Sequence, residues 1–356
     1  MQNLPLQFGI RIATNDGEVS FMTNITGRKL VFPLVLAFSI TLFAAPKKVA
    51  KESGSAPAVL WEDPVDIATR DMINGPGGAE HQPKGPFKYL KEDLNGTSPK
   101  FIITDGNGVK WKVKLGEESH PETVASRLVW AAGYYADEEY FLPGFQVVGI
   151  PSKLHRGEKY IEPNGIVHDA RLKRYLKGEE KNGSWKWKDN PFTGTREFNG
   201  LRVMMAVINN WDLKDENNTV YQYEGKRIYL VSDLGASFGT TGRSVTRAES
   251  KGNLANYTES ESKFITHVTP PVVDFGVPSR PALIHVIEAS EFKSRLDLEW
   301  IGKQIPIADA RWIGSILAKL SPEQIQAAFG AAGYSPQEVV GFSAIVEERI
   351  ADLNKL

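Results

Sequence analysis

The 356-residue chain contains no cysteine, which excludes disulfides, thiolate metal sites and a cysteine nucleophile together. Histidine is sparse at six, and none falls into a metal-ligand spacing such as H-E-x-x-H. Neither charge sign is in excess: 42 basic against 43 acidic residues leave a formal net charge of −1. A nucleic-acid partner is therefore not expected. There is no G-x-G-x-x-G loop and no internal repeat. Long apolar runs are scarce as well; the most marked, Leu30 to Phe43, is shorter than the roughly 20 residues of a membrane-spanning helix.

That run follows Arg28 and Lys29 and ends in Ala44-Ala45, the layout of an export signal, with an ordinary basic region if translation starts at Met22. Leu42 or Phe43 stands where cleavage prefers a small residue, and Lys47, Lys48 and Lys51 make the far flank basic. The expectation is an exported chain, periplasmic or secreted, tied to a membrane only if the segment is uncleaved. Residues 1–45 thus read as an N-terminal extension with a signal peptide. Residues 46–86 read as a linker, including the flexible stretch Asn74-Gly75-Pro76-Gly77-Gly78.

A hydrophobic share of 41% supplies a sizeable core for what remains. Residues 87–150 read as a small first lobe and residues 151–356 as a larger, mostly helical one. Strand-like Phe101 to Thr104 and Val109 to Leu115 flank Asp105-Gly106-Asn107-Gly108, a strong hairpin signal. A helix is predicted over 121–132, with Pro121 in its first turn and Gly133 past its end. Another is predicted over 202–209. Ser321-Pro322-Glu323 and Ser335-Pro336-Gln337-Glu338 each open a helix, with a serine cap and proline in the first position.

The chemistry-bearing residues lie in two short segments. Asp212-Leu213-Lys214-Asp215-Glu216-Asn217 leads, past the β-forming run Arg227 to Val231, into Asp233-Leu234-Gly235. An aspartate with an asparagine five residues on, followed by a second aspartate in an Asp-Leu-Gly turn, resembles the way kinase-like phosphotransferases place a base and metal ligands. The asparagine carbonyl and the aspartate carboxylate are hard oxygen ligands of the kind Mg²⁺ takes. Upstream, Trp111-Lys112-Val113-Lys114 precedes a helix carrying Glu122 and ending in Ala131-Ala132-Gly133. This order is similar to the N-lobe of HipA-type Ser/Thr kinases and to phosphatidylinositol 3/4-kinases, CotH kinases and secreted Golgi-type kinases.

The resemblance, over residues 90–240, implies an α+β, bilobal fold with a small antiparallel sheet, one helix and a helical second lobe. It implies ATP- and Mg²⁺-dependent transfer of phosphate to a protein or small-molecule hydroxyl, in an exported bacterial-type branch. In it Asp212 is the base, Asn217 and Asp233 hold the metal, Lys114 bridges the nucleotide phosphates and Glu122 pairs with Lys114. Gly96, Thr97 and Ser98 resemble the short turn that covers phosphates in the lipid-kinase branch. The chain departs from ordinary protein kinases in lacking His-Arg before Asp212 and Ala-Pro-Glu after Asp233, and in placing Lys112 where an apolar base contact is usual.

Other readings compete. Gly235-Ala236-Ser237-Phe238-Gly239 fits the nucleophile elbow of a serine hydrolase, with Asp274 and His285 in order behind it, although Thr240-Thr241-Gly242 is a poor helix start. A non-catalytic, pseudokinase module for a nucleotide or partner is the third reading. The stretch Trp185 to Phe192 reads as a hairpin packing its tryptophans on the second lobe, or as a lid.

Overall fold

The structure, a computed structural model, describes residues 11–14, 17–20, 56–96, 98–178, 180–210, 212–239, 251–276 and 298–356. The chain divides into two units, Met1–Ser53 and Gly54–Leu356. In the first, the described residues form an antiparallel hairpin of β1 (Arg11–Thr14) and β2 (Gly17–Ser20). Met22, the run Leu30 to Phe43, Thr97 and His285 lie outside the described residues.

The second unit begins with β3 (Ala58–Val59). The segment expected as a linker is packed from residue 56 on: Leu60, Ile67 and Met72 are buried in the larger hydrophobic core. The indole of Trp61 donates to the Ala132 carbonyl at 2.8 Å. The stretch expected to be flexible is a 3-10 turn, Gly75–Gly77. Arg127 donates to the Ile73 carbonyl on one side of it at 2.9 Å, and Tyr140 to the Gly78 carbonyl on the other at 2.8 Å. Apolar residues this widely spaced show no period, which is why composition alone reads the segment as a linker.

The fold is α+β in two lobes. Five strands, β4 (Phe87–Glu92), β5 (Lys100–Thr104), β6 (Lys110–Leu115), β7 (Glu139–Val148) and β8 (Ile166–Arg174), close into a barrel in the order β4-β5-β6-β8-β7. The β5–β6 turn is the expected Asp105 hairpin, in which the Asp105 carboxylate accepts from the backbone N–H groups of Asn107 and Val109, each at 2.9 Å. On β6 the side chains alternate by two. Trp111, Val113 and Leu115 fill the barrel, which leaves Lys110, Lys112 and Lys114 on the outer face. β8 carries the barrel to Arg174, past the boundary at residue 150 that the sequence suggests.

One helix, α1 (Ser119–Ala131), follows β6 after three residues. Its Val124, Leu128 and Val129 belong to the core of the second lobe. That lobe adds β9 (Glu180–Lys181), α2 (Arg196–Val207), β10 (Asn218–Tyr223), β11 (Lys226–Val231) and α3 (Leu254–Glu259). It is completed by β12 (Ile265–Thr269), β13 (Val272–Phe275), β14 (Ile305–Pro306), α4 (Ile307–Leu317), α5 (Pro322–Ala331) and α6 (Pro336–Lys355). The strands form two sheets, ordered β3-β11-β10-β9 and β12-β13-β14.

Helix α2 starts six residues before the predicted Arg202, because Thr195 caps it by accepting from the Phe198 N–H. Both Ser-Pro starts are full capping boxes, Ser321 with Gln324 and Ser335 with Glu338. From α6 the buried Arg349 donates to the carbonyls of Ala206 and Val207, at 2.8 and 3.1 Å, and to Ser260. A cation at the end of α2 complements the negative end of the helix dipole, beside carbonyls that also accept from the Asn209 N–H and the Tyr257 hydroxyl. The end of α2 is thereby fixed where the chain turns into the Asp212 loop.

Candidate active site

A tight turn brings β6 to α1. Gly116, at φ +88°, donates to the Asp169 carbonyl at 3.1 Å and accepts from the Ser119 N–H at 2.8 Å. A side chain there would run into the Tyr160 ring. The Ser119 hydroxyl returns to the Lys114 carbonyl at 2.9 Å. Glu118 and Glu122 then stand one helical turn apart and face back toward β6. Lys114 Nζ lies 2.8 Å from Glu122 and donates to Glu118 at 3.0 Å and to Asp233 at 3.1 Å. Residues 119 positions apart in sequence thus meet at one ammonium.

The contacts continue inward. Glu122 also lies 2.8 Å from Arg171, which reaches Glu139 at 3.2 Å, and Glu139 accepts from the Ser126 hydroxyl at 3.0 Å. Breaking a buried pair costs about 3–5 kcal/mol against under about 1 kcal/mol for an exposed one. Lys114 and Glu122 are 3% and 2% exposed, so this group outweighs surface pairs such as Lys226 with Glu62.

Burial alone would depress the pKa of Lys114. The carboxylates of Asp233, Glu122 and Glu118 overcome it and hold the ammonium charged well above its ordinary range. Burial would raise Asp233, but Lys114 keeps its pKa below the usual carboxylate value. Glu118 is lowered too, against its own burial, by Lys114, Lys251 and the Ser98 hydroxyl. Glu139 goes the other way: burial, reinforced by Glu122 and Asp137, outweighs Arg171 and raises it to about 8. One proton on Glu139 relieves a site where Glu118, Glu122, Glu139 and Asp233 face Lys114, Arg171 and Lys251.

The hairpin β10–β11 places the second half of the site. Its register pairs Asn218 with Val231, and the Ser232 N–H donates to the Asn217 carbonyl at 2.8 Å. Asn217 therefore lies across from the residue before Asp233. Its side-chain N–H donates to the Asp212 carbonyl at 2.6 Å, which leaves the amide oxygen to accept or to ligate. Asp212 joins through this bond, while its carboxylate lies 3.3 Å from Lys214. The Asp233 side chain retains 43% of its surface for solvent or a ligand.

The turn after Asp233 is pinned by Phe238, whose N–H donates to the Ile208 carbonyl at 2.8 Å and whose ring packs edge-on against Tyr257, Phe329 and Phe342. Of the turn expected to cover phosphates, Ser98 donates to Glu118 at 2.7 Å. Gly96 stays exposed at φ +68°, with its carbonyl held by Arg156 at 2.5 Å.

Lys114, Glu122, Ser98 and Asp233 are thus brought together, and the β10–β11 hairpin joins them to Asn217 and Asp212, whereas Gly96 stays exposed and Thr97 lies outside the described residues. Glu118, Arg171, Glu139 and Lys251 were not foreseen. Glu118 had a signal, standing midway between Lys114 and Glu122 at intervals of four. Two expectations fare differently. Ser237 is fully buried, which closes it to a substrate and removes the nucleophile of the hydrolase reading, while Asp274 accepts from the Gln304 N–H at 2.7 Å. Trp185 and Trp187 are buried in the second lobe, as the hairpin reading expects. Trp185 donates to the Leu230 carbonyl at 3.0 Å, and the Trp187 N–H donates to Asp215 in the Asp212 loop at 3.1 Å.

Two halves therefore face each other: a barrel strand with its lysine paired to a helix glutamate, and a loop with a hairpin that presents Asp212, Asn217 and Asp233. The arrangement is the one that the resemblance in the sequence implies. No family model and no curated protein matches the chain. Among solved structures it is similar to a Helicobacter pylori proinflammatory kinase, CtkA, at 9% identity and TM-score 0.43, over 75% of this chain and 95% of that one. It is also similar to the Golgi casein kinase at 10% identity and TM-score 0.35, over 77% of this chain and 72% of that one. A structure of the Golgi casein kinase with Mn/ADP bound gives 10% identity and TM-score 0.34 over the same shares.

Proposed function

We propose that the chain is an ATP- and Mg²⁺-dependent phosphotransferase acting on a hydroxyl group of a protein or small molecule. The observation that carries this reading is the meeting of Lys114 with Glu122 at 2.8 Å and Asp233 at 3.1 Å. Glu122 aims the lysine, and its ammonium orients phosphate oxygens as a point charge. Asp212 accepts the proton of the attacking hydroxyl. The Asn217 amide oxygen and the Asp233 carboxylate fit Mg²⁺, which is commonly bound by one or two carboxylates together with substrate phosphates and water. The bound metal supplies charge neutralisation for the transferred phosphoryl group.

One observation favours the alternative of a non-catalytic module. Lys112 shares the outer face of β6 with Lys114 and lies 3.1 Å from Asp93, so the wall on which a nucleotide base would rest is charged. Intact-mass measurement after incubation with ATP, Mg²⁺ and candidate acceptors separates the readings. A gain of about 80 Da marks phosphoryl transfer and about 329 Da nucleotidyl transfer. No gain on the chain or on any acceptor, despite nucleotide binding, supports the module.

A further inference from the structure

Three donors from distant parts of the sequence converge on one carboxylate. Lys114 Nζ donates to Glu118 Oε2 at 3.0 Å and Ser98 Oγ to the same oxygen at 2.7 Å, while Lys251 Nζ pairs with Oε1. They come from the turn before β5, the end of β6 and the return of the chain after the Asp-Leu-Gly turn. Glu118 is 15% exposed and seated against Gly235, where an added Cβ would come within 2.9 Å of Glu118 Cβ and 3.3 Å of Oε2. Lys251 is placed by its neighbour: the Gly252 N–H donates to the Ser237 carbonyl at 2.9 Å. A side chain at Gly252 would collide with the Tyr334 hydroxyl and press on Pro121 of α1.

Two ammonium groups and a hydroxyl gathered around the two oxygens of one carboxylate suit a multiply charged oxyanion better than that carboxylate. We propose that Ser98, Lys114 and Lys251 form an anion-binding subsite for a phosphate group of the nucleotide, and that Glu118 is its built-in occupant, displaced when a polyphosphate enters. The proposal rests on the phosphotransferase reading and extends it. Lys251 becomes a phosphate-binding residue, and Glu118 sets a threshold for entry. Affinity is lowered by the fraction of molecules in which the carboxylate still fills the subsite. Glu122 and Asp233 keep Lys114 in place once Glu118 withdraws.

Isothermal titration of the full chain with inorganic tripolyphosphate, and separately with ATP and Mg²⁺, tests this. Glu118→Gln keeps an oxygen for Ser98 and removes the charge. Tripolyphosphate should bind this variant about tenfold more tightly, the gain expected if the subsite is open about one time in ten in the wild type. Adding Lys251→Met should take back most of that gain. Glu118→Asp, which keeps the charge but shortens its reach, should tighten binding in the same direction and decides the matter if Glu118→Gln does not fold. Unchanged or weaker tripolyphosphate binding by the folded variants overturns the proposal, and a gain that survives Lys251→Met overturns the place given to Lys251. A gain for tripolyphosphate with none for ATP leaves the subsite standing and overturns the nucleotide reading on which it was built.

Discussion

The Asn217 side chain donates to the Asp212 carbonyl at 2.6 Å, so the residue proposed to ligate the metal also sets the backbone from which the proposed base projects. One substitution separates the two roles. Asn217→Asp keeps an oxygen ligand and loses the donor, whereas Asn217→Ala loses both. In thermal-shift measurements with ATP and Mg²⁺ at 100 times the Kd, a native-state ligand stabilises by about 2.7 kcal/mol. Asn217→Ala should lose the metal-dependent part of that shift. Asn217→Asp should keep most of it while transfer slows. A full shift in Asn217→Ala would remove Asn217 from the metal site.

In the proposed function Asp212 acts on the acceptor and not on the nucleotide. Asp212→Ala should therefore lower transfer by about 10²–10⁴-fold, the usual contribution of a positioned base, with nucleotide affinity nearly unchanged. Single-turnover kinetics beside equilibrium titration checks this. Equal losses in binding and transfer would mean that Asp212 holds the loop together rather than accepting a proton.

Lys114 answers several carboxylates at once. Lys114→Met leaves Glu122, at 2% exposure, with Arg171 as its remaining close cation, and leaves Asp233 and Glu118 without their shared partner. The expected cost is about 3–5 kcal/mol in urea denaturation. Pairing Lys114→Met with Glu118→Gln should recover part of it, because in the single variant Glu118 keeps Lys251 as its one remaining close cation. A double variant no more stable than Lys114→Met alone would show that Glu118 carries no uncompensated charge in the single variant.

What could be read beforehand was what local spacing encodes. Asp212 and Asn217 sit five residues apart in one loop, Asp233 follows a single hairpin, and serine-proline starts mark α5 and α6 through capping alone. The ammonium of Lys114 was legible only by its order before Glu122. Arg171 and Lys251 were not legible, because each reaches the site through closure of the fold: Arg171 by its register opposite Lys114 on β8, Lys251 by the return of Gly252 to Ser237. The packing of Leu60, Ile67 and Met72 was hidden for the same reason, since isolated apolar residues gain meaning only from the surface that covers them.

Glu139 supplies a test by pH. It is buried beside Arg171 and Ser126, with its pKa raised to about 8, whereas an unfolded glutamate titrates near about 4.3. Between those values the folded state holds a proton that the unfolded state has released, so stability falls as pH rises through this window. The other shifted groups of the site act elsewhere. Asp233 and Glu118 are lowered, so their contribution is complete above the ordinary carboxylate range and is lost only in acid. Lys114 is raised, so its contribution is complete below the ordinary lysine range and is lost only in strong base. Urea midpoints between about pH 5 and pH 8 should decline more steeply in the wild type than in Glu139→Gln, which stays neutral and can still accept from Ser126. Comparing the two proteins isolates the contribution of Glu139. Parallel slopes would mean that Glu139 is ionised in the folded protein and that its charge is balanced by Arg171.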